Sequence, residues 1–170
     1  MKNLVLSAIL GLSLASATKI PQTVIGLGTG TIDNSHKNII FKFEHHIYSL
    51  FNIGGRFAEN YLNTYVNTIP IFVNDKILLN EAVGLEKYKI ENKNETQAFL
   101  KYRTVLINKN IYPKAFLQIG TKSTTLGLGF FKNINNKLGA EFEVGKRWLY
   151  KKVENKKNTT SATLYINYSF

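Results

Sequence analysis

Hydrophobic and polar residues alternate along most of this chain. The final segment is the clearest case, because Ala162, Leu164, Ile166, Tyr168 and Phe170 alternate with mainly polar neighbours. Successive side chains of a strand point to opposite faces, so a period of two predicts a β-strand with one apolar face. The segment before it, at 138–150, alternates in the same way, and only Lys146 interrupts its apolar positions.

The pattern predicts an all-β chain of eight to ten antiparallel strands. Ten candidate strands lie at 23–30, 39–44, 50–58, 61–73, 78–90, 98–107, 115–120, 124–131, 138–150 and 160–170. Short turns join the last five, which predicts an up-and-down meander. A helix or irregular stretch between His45 and Tyr65 would reduce the total to eight, so both even numbers stay open.

The first 17 residues have the features of a secretory signal peptide. Lys2 provides the positive end, an apolar run follows from Leu4 to Ala15, and Ala15-Ser16-Ala17 is a small-x-small cleavage site. The mature domain is therefore predicted to span 18–170. After the leader no stretch of about 20 apolar residues follows, so the mature chain could cross a bilayer only as a barrel.

Composition excludes several kinds of chemistry and indicates the charge of the partner. The 170 residues suffice for one domain, and the absence of Cys excludes disulfide frameworks, Cys-based zinc sites, catalytic thiols and a lipidated cysteine. A formal charge of +11 suggests an anionic neighbour. Because the leader makes nucleic acid an unsuitable partner, we expect that neighbour to be lipid or lipopolysaccharide.

The polar faces of the predicted strands look like the lining of a narrow lumen. They combine small residues with charges of both signs, which could pair across a barrel interior. The glycines are at 26, 28, 30, 127, 129, 139 and 145. The predicted lumen charges are Lys101, Arg103, Glu141, Glu143 and Arg147. Periodicity alone also allows a soluble barrel whose apolar face is the core.

Aromatic residues fall at the predicted strand ends, where membrane barrels carry interfacial girdles: Trp148, Tyr150, Tyr168 and Phe170. The last strand, with Leu164, Ile166, Tyr168 and Phe170 at alternate positions, resembles that of the bacterial outer-membrane β-barrel family, of the small opacity or porin-like type. One departure is Tyr165, where the family often has Gly. The resemblance implies a transmembrane barrel in the cell outer membrane, and it implies that these four residues are an assembly signal read by the barrel assembly machinery.

Three other patterns bear on whether the chain has a catalytic or binding site. Gly26-x-Gly28-x-Gly30 lies within a strand-like segment and does not fit a nucleotide loop. His45 and His46 are neighbours, so on a strand they point to opposite faces and cannot easily share a metal. Lys151, Lys152, Lys156 and Lys157 lie in a predicted hairpin loop at 151–158, which could contact lipopolysaccharide phosphates or simply be solvated.

The sequence therefore predicts a small outer-membrane barrel with a structural, surface-interaction or minor porin-like role. No catalytic residue, cofactor or metal site is assigned to it. One alternative is a lipid A-modifying enzyme that uses His45 or His46 with a nearby serine such as Ser35 or Ser49. The other is a soluble periplasmic β-barrel that binds a ligand.

Overall fold

The computed structural model describes residues 23–34, 38–47, 51–67, 71–74, 76–90, 93–107, 111–153 and 156–170. Within these ranges the chain forms eleven strands. They are β1 (Thr23–Thr31), β2 (Asn38–Ile47), β3 (Phe51–Ala58), β4 (Tyr61–Asn67), β5 (Ile71–Asn74), β6 (Ile77–Ile90), β7 (Lys93–Leu106), β8 (Tyr112–Gly120), β9 (Ser123–Asn133), β10 (Leu138–Val153) and β11 (Lys156–Ser169). The residues that the structure describes include no helix long and apolar enough to cross a membrane.

The sheet closes on itself. Each strand pairs antiparallel with its neighbour in sequence except β4 and β5, which both pair with β6, and β1 pairs with β11. At the first and last strands Val24 lies opposite Ser169 and Thr31 opposite Ala162. The chain therefore forms a closed, up-and-down barrel of ten strands, which confirms the predicted fold class and excludes the eight-stranded alternative. We call the end that holds Thr23 and Phe170 the terminal end, and the opposite end the far end.

One predicted strand is divided in two. The segment predicted at 61–73 forms β4 and β5, which both pair with β6, β4 through Tyr61–Asn67 and β5 opposite Ile77 to Leu79. Between them the sequence contains Pro70, whose ring nitrogen cannot donate a hydrogen bond to a neighbouring strand. Together the two pieces occupy one position in the ring of ten.

Several strands are longer than the alternation predicted. Strand β10 continues to Val153 and β11 begins at Lys156, where Val153 lies opposite Lys156. The prediction of a loop over all of 151–158 is therefore wrong. A hairpin that projects into water can keep its backbone pairing while its lysines are solvated, so charge alone did not mark the end of the strands.

The barrel is apolar outside and polar inside. Ile39 is 67% exposed, Leu128 60% and Leu27 55%, while the inward-facing Lys42, Glu141 and Arg147 are each no more than 5% exposed. This order is the reverse of that in a water-soluble domain, and it suits a barrel whose outer surface meets lipid. The alternative of a soluble barrel with an apolar core is therefore wrong.

Two glycines on the inner wall make room for aromatic rings. A Cβ placed on Gly28 would lie 2.5 Å from the Tyr165 ring, and one placed on Gly127 would overlap the ring of Phe116. Tyr165 and Phe116 come from the adjacent strands β11 and β8. Glycine at these positions thus lets large side chains lie flat along the wall of a narrow interior.

Candidate functional site

The middle of the lumen holds a cluster of charges, which we call the middle cluster. It consists of Lys42, Glu44, Arg56, Lys101, Arg103, Lys114, Glu141 and Glu143. Lys114 is its centre, because its ammonium lies 2.5 Å from Glu141 and 2.6 Å from Glu143. Lys42 donates to Glu141 at 2.6 Å, and Arg56 donates to Glu143. Four strands, β2, β3, β8 and β10, are thereby joined across the interior.

The middle cluster has more cations than carboxylates. Its members include five Lys or Arg side chains and three Glu side chains. Within the part of the chain that the structure describes, Lys101 and Arg103 form no ion pair within 4.0 Å; the Lys101 ammonium instead lies 4.1 Å from the centre of the Phe116 ring. A cation over an aromatic face is stabilised by the ring quadrupole but is not neutralised by it.

A second group, which we call the far cluster, fills the half of the lumen towards the far end. Its charged members are Asp33, Glu86 and Arg147. Glu86 is 1% exposed and accepts hydrogen bonds from five side chains. The donors are Tyr61, Asn63, Gln97, Gln118 and Arg147. A buried carboxylate with that many donors is well compensated for lost hydration.

Aromatic and aliphatic side chains close the space around the far cluster. Tyr88 lies beneath the Arg147 guanidinium, 4.0 Å from it, and packs with Ile90 and Leu149. Ile32, Ile40 and Tyr165 form a second buried group. The turn after β1 supplies Asp33, and burial raises the pKa of its carboxyl while Arg147 and a hydrogen bond from Thr159 oppose that rise. Side chains thus fill the interior around the far cluster, and a cavity of about 460 Å³ lies beyond them at the far end, beside Tyr88, Lys122 and Lys151.

The terminal end is open by contrast. A cavity of about 850 Å³, here called the vestibule, extends inwards from this end as far as the middle cluster. Lys42, Arg103 and Lys114 line it together with Glu44 and Glu141. Tyr112, Phe131 and the turn at Ile134 form its rim. The vestibule gives a solute direct access to the charges in the middle of the lumen.

The structure places all five predicted lumen charges, Lys101, Arg103, Glu141, Glu143 and Arg147, inside the barrel. Their partners were missed from the sequence: Asp33, Lys42, Glu44, Arg56, Glu86 and Lys114. A signal existed for some of them. Lys42 lies between Phe41 and Phe43, and Arg56 precedes Phe57, so the same alternation assigns both to the polar face.

The two histidines point to opposite sides of β2. His45 is hydrogen bonded to the Thr23 hydroxyl at 2.9 Å and stacks beside Phe43, while His46 is half-buried on the inner side. The serines of the predicted hydrolase alternative, Ser35 and Ser49, lie outside the described residues. Among the described residues no group of three His, Asp or Glu side chains is arranged to hold a metal.

The remaining predicted site residues lie on the last strand and at the far end. Leu164, Ile166, Tyr168 and Phe170 all face outwards, and the Tyr168 and Phe170 rings are 5.4 Å apart at the terminal end. At the far end Lys151 and Lys157 are exposed. The side chains of Lys152 and Lys156 lie outside the described part of the structure.

Known proteins resemble this chain in fold. No protein-family model matches it, and no curated protein does. A solved structure of the KdgM porin in complex with disordered oligogalacturonate is 11% identical, covers 86% of this chain and 99% of its own, and has a TM-score of 0.53. The NanC porin is 8% identical, with coverage of 87% and 98% and a TM-score of 0.51.

At such low identity the likeness concerns the fold. It shows that the chain shares the closed-barrel fold of these porins, in agreement with its own closed sheet and apolar exterior. Within that fold class the chain is a ten-stranded barrel in which side chains fill the interior around the far cluster and the vestibule is open. This fold is the one expected for the location in the cell outer membrane that the sequence predicts.

Proposed function

We propose that this barrel has a minor porin-like role, in which the vestibule admits small anionic solutes and the far cluster restricts their passage. The observation that carries the proposal is the excess of cations in the middle cluster, five against three carboxylates. Rings and tracks of Lys and Arg select anions in pores, and low-dielectric walls concentrate their field.

The position of the unpaired charges supports the same direction of selectivity. Arg103 lines the vestibule, and Lys101 lines the smaller cavity next to the middle cluster. A solute that enters from the terminal end would therefore meet one uncompensated cation after another. One of the two matched porins is described with oligogalacturonate, which is itself an anionic chain. For the present chain the proposal depends on its own lumen charges.

The restriction lies in the far cluster. Arg147 reaches from β10 to Glu86 on β6, at 2.9 Å, and Asp33 lies 3.2 Å from the same guanidinium. A solute could cross only if these contacts opened, so we expect a low conductance with rare openings. The filled interior around the far cluster also favours a second candidate, a non-conducting barrel with a structural or surface-interaction role.

Planar-bilayer recordings of the refolded barrel separate the two candidates. We expect small, infrequent conductance steps and a reversal potential under a KCl gradient that indicates anion preference. The double substitution Glu86→Ser with Arg147→Ser removes the ion pair that spans the restriction and leaves Asp33 as its one remaining charge, so it should increase conductance. Lys146→Gln, on the outer surface beside Trp148, is the matched control and should leave selectivity unchanged. If neither wild type nor the double variant conducts, the porin-like role is wrong and the structural role remains.

For partners, we propose that the far-end lysines contact lipopolysaccharide phosphates. This requires the far end to face the cell exterior. Lys151 and Lys157 are exposed there, and Lys122 is available nearby although it donates to Glu95 at 2.7 Å. Replacing Lys151 and Lys157 by Gln should weaken co-purification of lipopolysaccharide, whereas replacing Lys132, which is exposed on β9 near the terminal end, should not. Equal retention by both variants would contradict this contact.

A further inference from the structure

A small cavity lies in the lumen between the middle and far clusters. Its volume is about 60 Å³. Space for a single water requires only about 10 to 15 Å³ on the same kind of measure, so the cavity can hold a small ion together with water. Arg56, Lys101, Gln118, Thr125 and Arg147 are among the residues that line it.

Hydrogen-bond donors around this cavity are left without partners. Arg56 Nη2, Arg147 Nη1 and Thr125 Oγ1 are buried atoms with no hydrogen-bond partner among the described residues. Arg56 Nη2 lies 3.6 Å from Glu141, which is an ion pair but too long for a hydrogen bond. The Arg56 and Arg147 side chains are only 10% and 6% exposed. Unused donors at this depth are costly unless something accepts their hydrogen bonds.

The charges in the lumen around the cavity also do not cancel. Its lining includes three cations, Arg56, Lys101 and Arg147, but only two carboxylates, Glu86 and Glu143. Asp33 contacts Arg147 from outside the lining. Asp33 balances the lining, but when the middle and far clusters are taken together six cations oppose five carboxylates, so a single positive charge remains in the lumen.

We propose that this cavity is a binding site for one small monovalent anion of the size of chloride. The anion would accept hydrogen bonds from the free donors of Arg56, Arg147 and Thr125 and would neutralise the charge of Lys101. Burial of an uncompensated charge is expensive, so neutralisation favours occupancy. The competing arrangement is a neutral Lys101 amine beside ordered water, which would make the site indifferent to the anion.

The site does not depend on the proposed porin-like role. An anion bound between the two clusters would stabilise the folded barrel whether or not solutes pass through it. A ligand that binds only the native state stabilises it. The stabilisation grows with the logarithm of the ligand concentration once that concentration exceeds the dissociation constant. Binding can therefore be followed in detergent, without any measurement of conductance.

The first test uses the full mature barrel, refolded in detergent. Its thermal unfolding is recorded over a series of sodium chloride concentrations, with sodium gluconate added to hold ionic strength constant. Chloride should raise Tm in this series, because gluconate is too large for the cavity. Lys101→Met should raise the apparent dissociation constant for chloride by about tenfold or more, as expected for loss of one charge-assisted contact. Lys122→Met, in an exposed turn, is the matched control and should keep the chloride effect.

The second test needs no variant and therefore stands if Lys101→Met fails to fold. Crystals of the wild-type barrel grown in sodium bromide should show an anomalous peak within hydrogen-bond distance of Arg56 and Arg147. An empty or water-filled cavity in bromide, or a Tm that does not change as chloride replaces gluconate, would overturn the proposal.

Discussion

Glu86 and Arg147 lie four strands apart around the ring, and their side chains meet across the lumen at 2.9 Å. Arg147 also stacks on Tyr88, and Glu86 collects four further donors from β4, β7 and β8. This pair is therefore the main connection between the two walls in the far half of the barrel. The contribution of this pair to the stability of the barrel can be measured separately from its effect on solute passage.

Arg147→Met should destabilise the barrel strongly, because it leaves Glu86 buried without its cation. The expected loss is about 3 to 5 kcal/mol, the usual cost of removing one partner of a buried ion pair. The double variant Glu86→Met with Arg147→Met should recover part of that loss, since it removes the lone Glu86 carboxylate, while Asp33 still lacks its cation. Urea unfolding in lipid vesicles, followed by the fluorescence of the only tryptophan, Trp148, measures all three proteins. A double variant no more stable than Arg147→Met would show that the other contacts of Glu86 dominate.

Gly28→Ala tests the contact between glycine and the Tyr165 ring. The added methyl would lie 2.5 Å from both the ring and the Leu164 carbonyl oxygen, so the strand pair must shift. We expect a loss of about 1 to 3 kcal/mol, typical of overpacking. Gly145→Ala is the matched control, because its Cβ would have no neighbour nearer than 3.5 Å. Equal stability of the two variants would show that the wall adjusts without cost.

Alternation predicted the architecture because a membrane barrel has only two environments. One face of each strand meets lipid and the other meets the lumen, so period two was enough to predict eight to ten strands and the inward side of Glu141, Glu143 and Arg147. The C-terminal aromatic pattern then indicated that the apolar face meets a membrane. Neither the strand prediction nor the membrane prediction required knowledge of which residues are in contact.

Pairing inside the lumen could not be predicted in this way. Lys42 and Glu141 are 99 positions apart in sequence and meet only because the barrel closes between β1 and β11. Asp33 was missed because it lies in a turn, where alternation gives no face, and it reaches Arg147 through a backbone with positive φ. The division of the fourth strand and the length of the last hairpin depended on local backbone pairing, which side-chain polarity does not report.

Phe170→Lys should reduce assembly into the outer membrane while secretion continues, because the terminal aromatic is predicted to be part of the signal read by the assembly machinery. Ile134→Lys is a matched control: Ile134 and Phe170 are each 59% exposed, and Ile134 lies in a turn at the same end of the barrel. The measurement is the heat-dependent gel shift of membrane fractions. Refolding of purified Phe170→Lys into detergent should be near normal, which separates recognition from stability. Normal assembly of Phe170→Lys in cells would show that Phe170 is not part of an assembly signal.

Leu128→Arg tests whether the apolar exterior lies in lipid. Leu128 is 60% exposed, and it lies opposite Val144 on β10 and Ala115 on β8, in the middle of the outer surface. An arginine at the midplane of a bilayer should cost about 2 to 4 kcal/mol, against about 0 to 1 kcal/mol near the interface. Leu106→Arg, at the terminal end of β7, is therefore the control. Urea unfolding from lipid vesicles measures both costs. If the two costs were equal, the belt of exposed apolar residues would not be centred in the bilayer.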